Sequence, residues 1–201
     1  MNGILVHLMR HGAPREPGLM LGHRDDPPTP TGVARCMLRA EHLAFAQVLS
    51  SDLARAKVPA RQIAHARGAT HRADRRWREL DFGDWDGLSP HDLDPSLQAA
   101  FWDDPDLCAP PRGERWSQLC LRVNEALCGI SRDTLVVTHG GAMRAALAVL
   151  FGFDHRQIWA FEFAYCAVLS LRLWPDGEGR ISAAQIVALD GGLSLIHISE
   201  P

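Results

Sequence analysis

Two short apolar runs of this chain end in the same pair of residues, a histidine followed by a glycine. The first, "VHLMRHG", closes on Arg10, His11 and Gly12, and the second, "TLVVTHGG", closes on His139 and Gly140. An imidazole can act as a nucleophile, a proton carrier or a ligand of an anion, and a glycine lets backbone N–H groups approach a ligand closely. Because both runs are typical of buried strands, the two junctions predict one shared site at the carboxyl edge of a sheet.

The cationic residues near these junctions suit a tetrahedral dianion. Arg10 precedes the first histidine, and Arg55 in "SSDLARA" supplies a second guanidinium. A helix predicted to begin near Gly141 directs its positive end to the same place. Forked guanidinium groups and helix N-termini are typical donors to phosphate. Arg15 and His23 are further candidates, although a solvated loop position is an equally good interpretation of both.

A histidine in such a pocket predicts phosphoryl transfer. Neutral His11 could attack phosphorus and form a phosphohistidine, and nearby cations would lower its pKa and keep a lone pair free. His139, if protonated, would stabilise charge on the equatorial oxygens. Glu79 in "RRWRELDFGDWDG" is the candidate proton donor to the leaving alkoxide. Three nearby carboxylates are rivals for that role: Asp81, Asp84 and Asp86.

Each of these residues also has an ordinary structural interpretation. The two histidines could be a hydrogen-bonded structural pair, Arg55 a surface helix residue, and Glu79 an ordinary loop carboxylate. Several further histidines are assigned to the surface or the core. No cluster of His, Asp and Cys has the spacing of metal ligands, so these residues predict no metal site.

Strands that alternate with helices must position these residues. The strands are expected at 4–9, 47–51, 134–138, 167–173 and 180–187. Helical periodicity follows the first three strands, with helices expected from 31 and from 141. This order predicts an α/β fold, a three-layer α/β/α sandwich whose central sheet is mostly parallel and carries helices on both faces.

Residues 80–115 differ from their surroundings because they are rich in Asp, Trp, Pro and Gly. They predict a small, irregular inserted cap on a single domain that spans residues 1–193. Three tryptophans are expected to pack the cap rather than to stack on a substrate: Trp77, Trp85 and Trp102. The tail 194–201, "SLIHISEP", resembles vector-derived sequence and is set aside together with His197, although a native but disordered end is the alternative.

The bulk composition limits the partners. The chain has 201 residues and a net charge of −3, which gives no reason to expect nucleic acid or an acidic membrane surface. No apolar run is long enough to span a membrane. The five cysteines are odd in number and lack Cys-x-x-Cys spacing, so they are expected as buried small residues in a reducing compartment, with the cytoplasm as the default location. The oligomeric state is not predicted.

Four segments, in order and spacing, resemble the motifs of the histidine phosphatase superfamily, in its phosphoglycerate-mutase-like branch. These segments are "LMRHG" (8–12), "SSDLARA" (50–56), "RELDFGDWDG" (78–87) and "VVTHGGAMRA" (136–145). The resemblance implies that His11 is the nucleophile, that Glu79 is the proton donor and later the base that activates water, and that no metal or organic cofactor is used. It also implies a phosphate-binding set: Arg10, His11, Arg55, His139 and Gly140.

The segment 10–32 is most similar to the α-ribazole phosphatase type of that superfamily. The resemblance therefore predicts a phosphomonoester hydrolase whose partner is a small phosphorylated metabolite or inorganic phosphate, with α-ribazole 5′-phosphate as the best single candidate. Mutases of the superfamily commonly have Asn near the position that Pro17 occupies here, which argues against a phosphoglycerate mutase. Mutase-type phosphoryl transfer and a non-catalytic phospho-ligand-binding module remain the alternatives.

Overall fold

The computed structural model describes residues 3–191 of the chain. Its strands are β1 Ile4–Arg10, β2 Gln47–Ser50, β3 Thr70–Ala73, β4 Thr134–Thr138, β5 Val168–Pro175 and β6 Ile181–Asp190. Its α-helices are α1 Pro30–Ala40, α2 Ala54–Arg67, α3 Pro95–Asp103, α4 Trp116–Cys128, α5 Gly140–Phe151 and the single turn α6 His155–Ile158. The predicted tail 194–201 lies outside the described residues.

The strands form one sheet in the order β3-β2-β4-β1-β5-β6. The pairs β1–β4, β4–β2 and β2–β3 are parallel, and β5 runs antiparallel to both of its neighbours. The prediction of a mostly parallel sheet is confirmed, with the closing hairpin as its antiparallel part. Strand β3 was not predicted because its sequence, "THRA", is polar and largely exposed at the sheet edge.

Side chains that alternate along each strand reach opposite faces of the sheet. In β4, Leu135 and Val137 pack in a core cluster with Ile63 of α2, whereas Val136 packs in the other cluster with Leu119 of α4. A strand buried on both faces is what a sheet covered by helices on both sides requires. The predicted α/β fold with helices on both faces is therefore confirmed.

The register of β1 and β4 places the two histidine–glycine junctions side by side. Arg10 lies opposite Thr138, and the backbone N–H of His11 donates a 2.8 Å hydrogen bond to the carbonyl of Thr138. His139 is the next residue after β4, so both histidines leave neighbouring parallel strands at the same edge. The carboxyl ends of such strands are where ligands gather in α/β sheets.

The segment predicted as an irregular cap contains a helix that the sequence analysis missed. Asp94 begins α3 by accepting a 2.8 Å hydrogen bond from the N–H of Ser96, and Pro95 occupies the first helical position. Both are ordinary helix-start signals, although the helix is only nine residues long. The boundaries of a separate cap and of the single domain 1–193 stay predictions.

The predicted tryptophans divide into two groups. Trp77 and Trp85 are buried in the core, in accord with packing, whereas Trp102 is 39% exposed.

The cysteines also differ from expectation: Cys36 and Cys166 are buried, but Cys108 is exposed and therefore does not behave as a small core residue. Within the described part of the chain, no helix has both the length and the apolar character that crossing a bilayer requires.

Candidate active site

The two predicted histidines form a buried pair. Their ring centroids are 5.0 Å apart, and the two ring planes make an angle of 64°. Nδ1 of His11 lies 2.7 Å from the carbonyl oxygen of Gly12. Because a carbonyl can only accept, Nδ1 must carry the hydrogen, and the lone pair of the neutral ring then resides on Nε2. The local backbone thus fixes the tautomer that a nucleophilic histidine needs.

The electrostatic surroundings keep both imidazoles neutral in the free protein. Burial lowers the pKa of His11 well below its usual value, and the charges of Arg55 and Arg10 lower it further. Burial likewise lowers the pKa of His139, with Arg55 and the neighbouring His11 adding to the shift. We therefore expect His139 to take up a proton only when an anion occupies the site.

Arg10 is held by aromatic and backbone contacts. Its Nη1 donates a 2.6 Å hydrogen bond to the carbonyl of Phe163, and its guanidinium carbon lies 4.3 Å from the ring centre of Tyr165. These contacts fix the guanidinium but leave its buried Nε without a hydrogen-bond partner among the described residues.

Arg55 is completely buried and ties the loop after β1 to α2. Its terminal nitrogens donate to three loop carbonyls, those of Leu21, Gly22 and Arg24, over 2.6 to 3.0 Å. Its Nε is buried without a partner in the part of the chain that the structure describes. The side chain therefore supports the loop and retains one donor.

Unpaired donors converge on this region. Seven buried side-chain nitrogens lack a partner among residues 3–191, and four of them belong to predicted site residues: Nε of Arg10, Nε of Arg55 and the two ring nitrogens of His139, one of which donates in the neutral ring. An unpaired buried donor costs about 1–3 kcal/mol, so several of them beside one another indicate an acceptor that the protein itself does not supply. Guanidinium and imidazole donors together select an oxyanion.

Glu79 is fixed at the start of α5. Its Oε2 accepts a 3.0 Å hydrogen bond from the N–H of Gly141, and its Oε1 accepts one of 2.9 Å from the N–H of Leu80. Its carbonyl oxygen accepts from Nε2 of His23 at 3.1 Å and from Nη2 of Arg122 at 2.8 Å. Side chain and main chain are therefore both restrained.

The rival carboxylates are occupied elsewhere. Asp81 accepts from the N–H of Gly83, Asp84 pairs with exposed Arg112, and Asp86 accepts from backbone N–H groups of the loop after β1. Glu79 is the carboxylate among the described residues that line the cavity beside His11.

The remaining predicted residues take different places. Gly140 lines the cavity, whereas Arg15 is exposed on its loop and is not among the described lining residues. His23 supports the main chain of Glu79, and burial lowers the pKa of the His23 imidazole.

The described residues contain no group of three or more His, Cys, Asp or Glu that could hold a metal ion. That the chemistry needs no metal stays a prediction.

Comparison with known proteins identifies the family to which this arrangement belongs. The family model described as "Histidine phosphatase superfamily (branch 1)" matches residues 6–185. The chain belongs to the histidine phosphatase superfamily. The resemblance predicted from the four sequence segments is thereby confirmed, and the matched range contains every predicted site residue of this histidine phosphatase.

Relatives within the histidine phosphatases differ in their named activities. The chain is 28% identical to the adenosylcobalamin/alpha-ribazole phosphatase of Salmonella typhimurium, over 77% of this chain and 83% of that protein. It is 32% identical to the 2,3-bisphosphoglycerate-dependent phosphoglycerate mutase of Azorhizobium caulinodans, over 88% and 95%. The solved structure of mycobacterial glucosyl-3-phosphoglycerate phosphatase superposes with a TM-score of 0.81 at 22% identity, covering 94% of this chain and 100% of that one, which shows the shared fold.

The cavity of this histidine phosphatase also contains residues that sequence reasoning missed. It has a volume of about 230 Å³, and its wall includes Arg144, Tyr165 and Trp159. Arg144 lies one helical turn after Gly140 within the quoted segment 136–145. That spacing places it on the same face of the helix as Gly140, so the sequence could have indicated that it faces the site. Tyr165 and Trp159 belong to no motif, and only the folded chain brings them to the site.

Proposed function

We propose that this protein hydrolyses phosphomonoesters through a phosphohistidine on Nε2 of His11. The observation that supports the proposal best is the set of buried, unpaired donors on Arg10, Arg55 and His139 beside that ring. A phosphoryl group would accept hydrogen bonds from these donors. Such donors act most strongly in a site that excludes water.

The first step would transfer the phosphoryl group to the protein. The lone pair of His11 Nε2 forms a bond to phosphorus, and the bond from phosphorus to the leaving oxygen breaks. Glu79, in its protonated form, gives its proton to the leaving alkoxide, which departs as an alcohol. Arg10, Arg55 and His139 would hold the charge of the transferred group.

The second step would release inorganic phosphate. Water attacks phosphorus, Glu79 now accepts a proton from that water, and the bond between phosphorus and Nε2 breaks. The electron pair of that bond returns to Nε2 of His11, while Nδ1 keeps its hydrogen bond to the Gly12 carbonyl. The same carboxyl group thus gives and takes one proton in each cycle.

The substrate we propose is a small phosphorylated metabolite, with α-ribazole 5′-phosphate as the first candidate. Support comes from the segment 10–32 and from the Salmonella typhimurium relative that bears this activity in its name. The cavity beside His11 is large enough for a modest leaving group.

The test is turnover of p-nitrophenyl phosphate and of α-ribazole 5′-phosphate by the purified protein, with and without EDTA. We expect hydrolysis that EDTA does not affect. We also expect an acid-labile, alkali-stable phosphoryl adduct on the protein. His11→Ala should abolish both. Absence of turnover by the unaltered protein across neutral and mildly acidic pH would contradict the proposal.

Mutase-type transfer is a second candidate because the Azorhizobium caulinodans relative, at 32% identity, is named a phosphoglycerate mutase. A mutase would convert 3- to 2-phosphoglycerate faster than it hydrolyses either ester. A non-catalytic phospho-ligand-binding module would instead bind phosphate esters equally well after His11→Ala and show no turnover. The same panel of assays therefore separates the three functions.

A further inference from the structure

Beyond the reactive residues, the cavity beside His11 has an aromatic wall. Its polar end contains Arg10, His11 and Glu79. Six aromatic side chains complete much of the remaining wall: Phe82, Phe101, Trp102, Trp116, Trp159 and Tyr165. The cavity is continuous with the proposed phosphoryl site, so the part of a phosphomonoester that lies in it is the leaving group.

Two of these aromatic rings are unusually exposed. Trp102 of α3 is 39% exposed, and Trp159, the residue after α6, is 44% exposed. Their ring centroids are 4.7 Å apart with the planes at 84°. Half-exposed large apolar side chains that meet at the wall of a cavity are typical of ligand contacts rather than of core packing.

Both indoles are held in place before any ligand binds. The ring of buried Phe101 lies 4.7 Å from that of Trp102, centroid to centroid. The guanidinium carbon of Arg144 lies 4.2 Å from the ring centre of Trp159. Restrained aromatic side chains lose little conformational entropy when a ligand packs on them, which favours their use as a binding surface.

We infer that this wall binds a planar aromatic leaving group, which packs against Trp102 and Trp159 while the phosphoryl group lies at His11. The inference rests on the proposed phosphatase function and specifies its substrate class: small phosphomonoesters whose alcohol carries an aromatic ring. An aromatic ring gains both burial and favourable ring–ring contact at such a wall.

The shortage of side-chain hydrogen-bond acceptors argues against a polyhydroxylated leaving group. Among the described lining residues outside the polar end, Arg144 and the indoles of Trp102, Trp116 and Trp159 can only donate, whereas His155 and the phenol of Tyr165 can also accept. Tyr165 lies against Arg10 near the reaction centre, and Arg144 reaches from Gly140 to the ring of Trp159. A sugar with several hydroxyl groups would therefore find few side-chain acceptors for its O–H donors, and an unpaired donor is costly when it is buried.

The test compares substrates that differ in planarity and polarity but share a primary alkyl leaving oxygen. These are benzyl phosphate, cyclohexylmethyl phosphate and glycerol 1-phosphate. We expect the unaltered protein to prefer benzyl phosphate over glycerol 1-phosphate by about tenfold or more in kcat/KM. The Trp102→Ala and Trp159→Ala variants should each lose about tenfold with benzyl phosphate and less than about threefold with glycerol 1-phosphate.

Leu97→Ala provides a matched control. Leu97 lies on α3 with Trp102 and is 52% exposed, but it is not part of the described cavity wall. We expect the substrate preference of this variant to equal that of the unaltered protein. Circular dichroism and thermal unfolding of all three variants establish that they are folded.

A binding measurement separates failure of this inference from failure of the proposed function. Calorimetry with benzylphosphonate and ethylphosphonate, which are not hydrolysed, needs no turnover. Tighter binding of benzylphosphonate that is lost in Trp102→Ala would support the aromatic site even if no ester were hydrolysed. If the unaltered protein prefers no aromatic ligand, or if the preference survives both tryptophan substitutions, the inference is wrong.

Discussion

The backbone N–H of Gly141 donates a 3.0 Å hydrogen bond to Oε2 of Glu79, 62 residues away along the chain. Gly141 lies in the first turn of α5, where helix N–H groups have no partner within the helix and carry partial positive charge. The proposed proton donor is therefore fixed by the same helix end that follows His139. A Cβ atom on residue 141 would overlap Oε1 of Glu79, so the contact requires a glycine.

The substitution Gly141→Ala should displace the Glu79 carboxyl group and weaken proton donation. We expect kcat for alkyl phosphates to fall by about 10- to 100-fold, because general acid catalysis contributes about that much or more. The loss with p-nitrophenyl phosphate should be smaller, since its leaving group needs little protonation. Gly129→Ala is the control, because a Cβ there would meet the carbonyl oxygen of Ala126 at an ordinary 3.5 Å. Equal losses with both kinds of substrate would argue against the role of Glu79.

Removal of Arg122 should affect both stability and the position of Glu79. Its guanidinium donates to both carboxylate oxygens of Glu114 at 2.7 Å and to the carbonyl of Glu79 at 2.8 Å, and the ion pair is largely buried. We expect Arg122→Ala to lower the free energy of unfolding by about 3 kcal/mol, because it leaves a buried carboxylate unpaired. Urea denaturation measures this change. The double variant with Glu114→Gln should recover part of it, and no recovery would contradict the explanation.

Arg55→Lys should weaken phosphate binding although the charge is kept. A lysine cannot reproduce the planar fork that donates to the carbonyls of Leu21, Gly22 and Arg24. We expect the inhibition constant of inorganic phosphate to rise by about tenfold, the equivalent of about one lost hydrogen bond. Hydrogen exchange over residues 21–24 should quicken at the same time. Unchanged exchange with weaker phosphate binding would indicate that Arg55 acts on the anion alone.

The arrangement of the two histidines could be predicted from the sequence because it depends on strand ends. Apolar runs that stop at His11 and His139 indicate parallel strands, and the paired register of Arg10 and Thr138 then brings the rings together. The residue types around them predicted a site for an oxyanion. The apolar pattern of each strand and its position in the folded sheet agree here, because the same strand ends form both the fold and the site.

The aromatic wall could not be predicted in the same way. Trp102 lies in α3, whose nine residues were hidden in a segment rich in Asp and Pro, and Trp159 follows a single helical turn. Elements this short have little periodicity, so tertiary packing decides where their side chains lie. Cys108 was expected to be buried because cysteine usually is, but in the folded chain it is exposed.

Acid should destabilise the free protein through its buried histidines. Burial, together with the charge of Arg55, holds the pKa of His139 well below its usual value of about 6.5. Below that value the unfolded chain binds a proton on this ring that the folded chain does not bind, so stability is lost as the pH falls. Between about pH 7.5 and pH 5.5, we expect one such histidine to remove up to about 1.4 kcal/mol from the free energy of unfolding.

Urea denaturation of the unaltered protein and of His139→Asn over this range measures how steeply the free energy of unfolding of each chain changes with pH. A saturating concentration of sulfate, a dianion that does not titrate in this range, should flatten the pH dependence of the unaltered protein, because a bound dianion favours the protonated imidazole. Parallel slopes for the two chains, with no effect of sulfate, would show that His139 neither resists protonation in the free protein nor faces the anion.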